Sequence, residues 1–464
     1  MRQPTTAPEF DPQLIARYDV AGPRYTSYPT APQFHDGFDE AALRRAVCDS
    51  NERGGSLSIY VHVPFCFSPC FYCGCNRVIT RDARKATQYL DYLEKELALL
   101  GPLFERGREV RQLHLGGGTP SFLDIDHMQR LFEMLSRHFD LPQSHAREWG
   151  IEIDPRDVDA TYIRELGRLG FNRISVGIQD FDAAVQKAVN RVQSVAQTAG
   201  VLNAAREAGF TSASVDIIYG LPRQTLDGFD RTLDQVIALS PDRVAIYGYA
   251  HLPHLFKAQQ RINDGDLPDA ATRLALLGRA WEKLGAAGYV YIGMDHFART
   301  DDELARAQRE GTLQRNFQGY STHGDCDIVG LGVSAIGRVA DTYSQNARDL
   351  LSYYAALDGD QLPVKKGIEL SRDDLVRRQL IGELMCHGTL NMRDFGERHD
   401  LPFAAHFAQD LDRLQPLVED GLVALHGDDI QVMPRGRPLL RNIAMCFDAY
   451  LGKSVGTPRY SRTI

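Results

Sequence analysis

The chain has 464 residues, 43% hydrophobic and 24% charged, an ordinary composition for a globular protein with room for two or three domains. Its formal net charge of −9 excludes a general nucleic-acid footprint, so an anionic ligand needs local clusters of Arg, Lys or His. No apolar run approaches the ~20 residues of a membrane span, and the N-terminal stretch lacks the apolar core of a secretory signal.

From about residue 55 to 250 strand-like and helix-like segments alternate. Strands are predicted over 56–63, 112–115, 150–154, 172–179, 212–220 and 243–250. Helices are predicted over 85–100, 126–139, 157–169, 195–208 and 226–239, with Gly170 and Gly209 as C-terminal stops. Such repetition implies parallel strands with crossover helices. A partial or full barrel is the expected form, and a doubly wound open sheet is the competitor. Strand alternation sets Tyr60 and His62 opposite their aliphatic neighbours. It does the same for Glu152 and Asp154, for Ser175 and Gln179, and for Ser214 and Asp216. These polar groups are expected to point into a barrel, near the C-terminal rim where parallel α/β sheets bind ligands.

Residues 255–345 read as polar helices plus the run Gly330 to Gly337. Those glycines are weak support for phosphate binding and fit tight packing or close backbone approach better. From about 365 the composition changes. Helices over 374–386, 403–420 and 438–451, with a hairpin over 421–432 turning at Gly427, read as a winged-helix-type packing or lid unit.

Four of the eight cysteines lie between Cys66 and Cys75, while Cys48, Cys326, Cys386 and Cys446 are scattered. Unpaired thiols and a reducing, cytoplasmic setting are expected. Cys66, Cys70 and Cys73, spaced C-x3-C-x2-C, can hold three irons of a four-iron cluster and leave the fourth open to an exogenous ligand. A zinc knuckle completed by Cys75 or a nearby His is the alternative.

The run from Cys66 to Cys75, the turn Gly116 to Pro120, and Gly177-Ile178-Gln179-Asp180 resemble the radical SAM superfamily. The similarity is closest to its oxygen-independent coproporphyrinogen III dehydrogenase branch, of bacterial haem synthesis. It rests on Pro23 to Thr30, Cys73 to Asn76, Asp216 to Pro222, Tyr249 to Pro253, Gly293 to Ala298, Arg315 to Tyr320 and Arg441 to Asp448, and spans about residues 20–464.

The resemblance implies an α/β fold, a partial TIM-like barrel of the radical SAM type. It implies an N-terminal arm and substrate cover (1–50), the barrel with its extension (51–365), and a mostly helical, winged-helix-like domain (366–464). The implied cofactors are a [4Fe-4S] cluster on Cys66, Cys70 and Cys73 and two molecules of S-adenosylmethionine. Tyr60, Gly117, Glu152 and Ile336 match positions around the first molecule. Tyr72, Gly118, Thr119, Gln179, Arg191, Asp216 and Ala250 match positions of the second, although Tyr72 stands where a family relative has Phe. Tyr60, Cys75, Glu152 and Asp216 are the implied catalytic set.

The implied chemistry is oxidoreductase chemistry. A 5′-deoxyadenosyl radical takes hydrogen from a propionate of coproporphyrinogen III. Loss of CO2 and an electron leaves a vinyl group, and two such events give protoporphyrinogen IX. An electron donor and acceptor are required but not identified. A monomer without nucleic-acid or membrane partners is expected. Arg24, His62, His296, Arg299 and Arg315 are candidate cations for the substrate carboxylates. A haem chaperone of the same branch is the alternative, and a zinc-stabilised interaction module is a third class.

Overall fold

The computed structural model describes residues 8–142, 147–451, 460 and 462. Residues 1–7 of the arm and 452–459 of the C-terminal segment lie outside the described residues.

Six strands carry the core: β1 (Leu57–Val63), β2 (Val110–Gly117), β3 (Glu148–Ile153), β4 (Arg173–Gln179), β5 (Ser212–Tyr219) and β6 (Arg243–Gly248). Each lies parallel to the next in chain order. The crossovers are helices α1 (Arg84–Leu100), α2 (Ile125–His138), α3 (Ala160–Leu169), α4 (Val195–Glu207) and α5 (Leu226–Leu239). Every crossover moves the same way, so the strand order never reverses. A doubly wound sheet needs such a reversal, and the barrel reading is the correct one.

α6 (Ala270–Ala286) leads to β7 (Tyr289–Gly293) and β8 (His296–Arg299). Beyond them come β9 (Asp327–Leu331), β10 (Ile336–Val339), β11 (Thr342–Asn346) and β12 (Val364–Glu369). The complete 12-stranded sheet runs β12-β11-β10-β9-β1-β2-β3-β4-β5-β6-β8-β7. Its two edges stay apart among the described residues, which makes the barrel partial. All but the last of these flanking strands fall in or at the end of the segment read as polar helices and a glycine run. They are short, and neighbouring strands rather than internal periodicity hold them.

Local chemistry sets the ends of the elements. α3 begins at Ala160, not at 157, because the Asp159 side chain accepts from Tyr162 N; it stops where Gly170 takes φ +107. Ser194 and Gln197 form a capping box on α4.

The expected alternation holds. Ile59, Val61, Ile151, Val176, Val215 and Ile217 are wholly buried under the helices, while Tyr60, Glu152, Gln179 and Asp216 keep partial exposure on the inner face. The glycines at 330 and 337 serve close packing. A Cβ on Gly330 would lie 2.7 Å from the Ile336 backbone, and one on Gly337 would lie 3.1 Å from the Ile328 carbonyl.

A second apolar core gathers the C-terminal helices, Leu304 and Tyr320 from the barrel extension, and Tyr25 and Tyr28 from the arm. Helix Arg372–His387 is followed by strand Thr389–Asn391, helices Met392–His399, Phe403–His406 and Ala408–Glu419, and the hairpin Val423–His426/Asp429–Val432. The strands form a three-stranded antiparallel sheet. The helix expected over 403–420 breaks at Phe407. The one expected over 438–451 shortens to Leu440–Met445, because a proline-containing 3-10 turn, Pro434–Leu439, precedes it.

Candidate functional site

The cysteine loop leaves β1 at the C-terminal mouth of the barrel. Phe65 and Cys66 pair in parallel with Val78 and Ile79, which closes the loop at its base. Cys66 and Cys70 are buried, Cys73 is half-buried and Cys75 is exposed. Thr119 Oγ1 donates to Cys66 Sγ at 3.3 Å, and the Cys75 amide donates to Cys73 Sγ at 3.4 Å. Two guanidinium groups address Cys70 Sγ: Arg191 Nη1 at 3.6 Å and Arg156 Nη2 at 3.8 Å. Arg77 clamps the loop from below, donating to the Cys73 and Cys70 carbonyls at 3.0 Å each.

The sulfurs are thus surrounded by a hydroxyl, an amide and two cations, all suited to thiolate rather than thiol. This donor set fits an iron–sulfur cluster, whose properties depend on hydrogen bonds to its sulfurs. The thiols feel opposing forces. Contact with the Cys75 thiol draws Cys73 down to about 6, with Arg77 assisting against burial. Burial pushes Cys66 up to about 11. Metal binding overrides both, since a coordinating thiol is deprotonated outright.

Behind the loop, Asp154 accepts from two guanidinium groups. Arg156 donates to its two oxygens at 2.9 and 2.6 Å, and Arg191 Nη1 donates at 2.9 Å. Burial opposes ionisation of Asp154, but the two guanidinium charges outweigh it and hold its pKa below the usual range. Arg191 Nη2 also donates to the Gly177 carbonyl at 2.7 Å.

On the inner wall, Tyr60 OH donates to His62 Nδ1 at 3.2 Å, while His62 Nε2 donates to the Asn76 carbonyl at 3.0 Å. Both imidazole nitrogens are committed and burial lowers the pKa. His62 is therefore neutral and is not the carboxylate-binding cation it was expected to be. Glu152 Oε2 accepts from Gly117 N and Oε1 lies against His114 Nε2, both at 3.4 Å. These bonds are long, and the Glu152 side chain is 45% exposed to the barrel interior, free to accept more.

The glycine turn is shaped by these groups. A Cβ at Gly117 would strike the His62 ring at 2.6 Å, and one at Gly118 would strike the Pro64–Phe65 backbone at 2.8 Å. Gly117 also takes φ +113. Tyr60 pairs with Gly330 of β9, against which the Ile336 backbone lies, while the Ile336 side chain packs with Phe34, Tyr343 and Ile368.

Deeper in the barrel, Ser175 Oγ donates to Asp216 Oδ2 at 3.2 Å. Burial, with the Glu152 charge adding to it, pushes the Asp216 carboxyl up to about 7. Gln179 sits at a bulge in the β4–β5 pairing and takes φ +68. Backbone strain of this kind in a non-glycine residue gathers at functional positions. Tyr72 and Ala250 are joined by a buried residue that the sequence did not single out: Gln259 Nε2 donates to both their carbonyls, at 2.9 and 3.1 Å.

Hydrogen bonds tie many of the candidate residues into one neighbourhood around the cysteine loop, and two stand apart. Arg299 sits at the far end of antiparallel β8, where its amide meets the Asp242 carbonyl before β6 begins. That is the N-terminal rim, away from the mouth. Cys75 meets the site through its contact with Cys73 rather than from the strand wall. His114, Asp154, Arg156, Arg77 and Gln259 complete the site. Period-two alternation through Gln112-Leu113-His114-Leu115 would have found His114; Arg77, Arg156 and Gln259 carry no periodic signal.

A three-cysteine loop at the mouth of a singly wound parallel barrel defines the radical SAM class, and the Radical SAM superfamily model matches residues 60–236. The HemN C-terminal domain model matches residues 370–439. Oxygen-independent coproporphyrinogen III oxidase from Pseudomonas aeruginosa is 49% identical over 98% of this chain and 99% of its own length. Those from Escherichia coli and a Synechocystis strain are 48% and 43% identical over 98% and 99% of this chain, and 99% and 100% of their own. The solved structure of coproporphyrinogen III oxidase (HemN) from Escherichia coli, described as a radical SAM enzyme, matches with a TM-score of 0.92. It is 47% identical, over 96% of this chain and 100% of that one. The chain belongs to the family of oxygen-independent coproporphyrinogen III oxidases.

Proposed function

We propose that this enzyme oxidatively decarboxylates two propionate side chains of coproporphyrinogen III to vinyl groups, giving protoporphyrinogen IX in haem synthesis. The observation that carries this reading is near-full-length kinship with the curated oxidases, joined to a cysteine loop that opens onto a polar barrel interior. When bound, the [4Fe-4S] cluster and S-adenosylmethionine supply a carbon-centred radical that removes hydrogen from the propionate.

The chain's own groups hold and orient these partners. Cys66, Cys70 and Cys73 take the cluster, while Thr119, Arg191 and Arg156 offset charge on its thiolates. Tyr60, Gly117, Glu152 and Ile336 receive one S-adenosylmethionine, with Glu152 an acceptor for its ammonium or hydroxyl groups. Tyr72, Gly118, Thr119, Gln179, Arg191, Asp216 and Ala250 receive a second. The arm and the C-terminal unit exclude water. In support, Tyr25 OH donates to Asp448 Oδ2 at 2.9 Å and Tyr28 OH accepts from Ala449 N at 3.0 Å, which ties the arm down. Among the described residues no helix is long and apolar enough to cross a membrane. The enzyme works as a cytoplasmic monomer with a separate electron donor and acceptor and without nucleic acid.

The test is stoichiometric. Reconstituted protein is incubated anaerobically with S-adenosylmethionine, reductant and coproporphyrinogen III. Two S-adenosylmethionine molecules consumed and two CO2 released per protoporphyrinogen IX are expected, with a mono-vinyl intermediate that rises and decays. Haem binding without CO2 release, in protein with a full cluster, would decide for a haem-transfer role.

A further inference from the structure

Around Tyr247 and His296 the structure gathers charges that the cofactor chemistry does not use. Arg24 comes from the arm, Asp295 from the turn between β7 and β8, and Arg315 from the hairpin Gln314–Asn316/Gly319–Ser321. The charges of Asp216, Arg24 and Asp295 all act on Tyr247, and that of Arg315 acts on His296. The Arg24 guanidinium lies over the Tyr247 ring at 5.5 Å, and both the Asp216 and Arg24 charges act on the Tyr247 hydroxyl. His296 pairs with Ala245 of β6, with its ring 6.0 Å from Tyr247 and 5.5 Å from Tyr320.

The charges are poorly matched. Arg24 Nη1 stands 3.5 Å from Asp295 Oδ2, with the side chains 36% and 28% exposed. A tight ionic hydrogen bond of this type is ≈ 2.7–2.9 Å. Arg315 lies over Tyr320 at 4.8 Å, and its Nη2 reaches only the Arg24 carbonyl, at 3.5 Å. Among the described residues its Nε and Nη1 are buried with no hydrogen-bond partner. Arg24 and Arg315 therefore stand near one loosely held carboxylate, with Arg441, which donates to the Pro23 and Gly22 carbonyls, as a third cation close by. His296 adds no charge, since burial, with Arg315 beside it, holds its pKa down at about 4.

The turn that presents Asp295 is strained. Met294 and Asp295 take φ of 40 and 73 after Gly293 at φ 150, and the Tyr320 hydroxyl fills the space of a Cβ on Gly293. Strain of this kind persists only where the surroundings enforce it, and it gathers at ligand clamps and switches.

We propose that Arg24 and Arg315 together bind one propionate carboxylate of the substrate, and that Asp295 is its internal stand-in, holding Arg24 until the propionate displaces it. This rests on the reaction proposed above, whose substrate carries four carboxylates. A planar carboxylate supplies the acceptors that Arg315 Nε and Nη1 lack. The same pair rejects an uncharged ester, which would leave the guanidinium groups desolvated and unpaired.

The test is the KM for coproporphyrinogen III in Arg315→Gln, Arg315→Lys and Asp295→Asn. Asn tolerates the positive φ at 295. Loss of an ionic hydrogen bond predicts a KM raised about tenfold or more in Arg315→Gln, and less in Arg315→Lys. Asp295→Asn should move KM down severalfold, because the competitor for Arg24 has gone. Iron content and S-adenosylmethionine binding should stay at wild-type values in all three. A variant that loses iron is replaced by Arg24→Gln, for which the same rise is expected. Opposite signs at 295 and 315 are what a merely structural pair would not give. An unchanged KM in Arg315→Gln, or a raised KM in Asp295→Asn, overturns the proposal. If the wild type makes no vinyl product, the reaction is wrong, and the pair is judged on coproporphyrin III against its tetramethyl ester by fluorescence titration. Preference for the free acid, lost in Arg315→Gln, supports the pair; equal binding of acid and ester by the wild type overturns it.

Discussion

Two charged walls of the barrel are built on opposite plans. On the cluster wall Asp154 holds Arg191 and Arg156 at 2.6 to 2.9 Å, and both guanidinium groups also reach Cys70. On the other wall Arg24 and Asp295 stand 3.5 Å apart, and Arg315 keeps two buried N–H groups without acceptors among the described residues. The first wall is wired before any ligand arrives, as a site that positions a reactive cofactor must be. The second is left for its ligand to complete. Preorganisation belongs to the group that stays, and incomplete pairing to the molecule that comes and goes.

The largest effect expected lies on the wired wall. Cys66→Ser, Cys70→Ser or Cys73→Ser should abolish the four-iron absorbance and all cleavage of S-adenosylmethionine, since each would remove one of the three proposed protein ligands. Cys75→Ser should keep its iron. Iron lost from Cys75→Ser and kept in Cys70→Ser would reverse the ligand assignment and reopen a zinc-type reading.

The contrast between walls also predicts a difference in stability. Asp154→Ala leaves two guanidinium groups without their counter-ion, and Asp154 and Arg191 are only 5% and 8% exposed in their side chains. Breaking a buried pair this way costs about 3–5 kcal/mol. Chemical denaturation should register that loss, together with weaker iron retention. Asp295→Asn, on the open wall, should shift the midpoint by less than about 1 kcal/mol, as a loose and half-exposed pair would. Equal losses at 154 and 295 would erase the distinction between the walls.

How legible each wall is in the sequence follows from how it is built. Cys66, Cys70 and Cys73 stand within one short loop, and Tyr60, Glu152 and Asp216 follow from period-two alternation in strands buried on one face. Local pattern is enough for these. Arg191 and Arg156 meet Asp154 through loop geometry, and Gln259 reaches Tyr72 across the barrel mouth; no periodicity encodes either contact. The other wall draws on residues 24, 247, 295 and 315, far apart in the chain. Family resemblance flagged Arg24 and Arg315, yet nothing local could separate them from Arg299, which antiparallel β8 carries to the wrong rim. The short strands β7 to β11 were missed for the same reason: long-range pairing, not local propensity, holds them.

A middle-sized effect tests the barrel interior. Glu152→Ala, Gln179→Ala and Asp216→Ala each remove one acceptor or donor while leaving the cysteine loop intact. Loss of a charge-assisted bond costs about 1.5–3 kcal/mol, or about tenfold or more in affinity. S-adenosylmethionine binding should weaken by that factor at near-normal iron content. Wild-type binding and turnover in all three would remove the inner wall from the cofactor site.

A further effect is a pH dependence set by a buried residue of α1. Glu96 is 1% exposed and accepts from Gly332 N at 2.8 Å, Asn346 Nδ2 at 2.7 Å and Tyr353 OH at 2.6 Å. These donors favour the carboxylate, but burial outweighs them and pushes the pKa up to about 7, from an ordinary 4.5. Between these values the folded protein binds more protons at this site than the unfolded chain does. Stability from this group is full below the ordinary pKa and falls as pH rises through the raised one, by about 2 kcal/mol between pH 5 and 7. Asp216 is shifted in the same direction, so the wild type alone cannot assign the slope. The comparison with Glu96→Gln can: amide and carboxylic acid are both neutral, but only the acid titrates. Denaturant midpoints of the two proteins should differ by a pH-dependent amount, with the wild type losing about 2 kcal/mol more than the variant over that interval. Parallel pH profiles would mean that the three donors hold Glu96 ionised, and that this buried network, like Asp154, belongs with the paired charges rather than with the open ones.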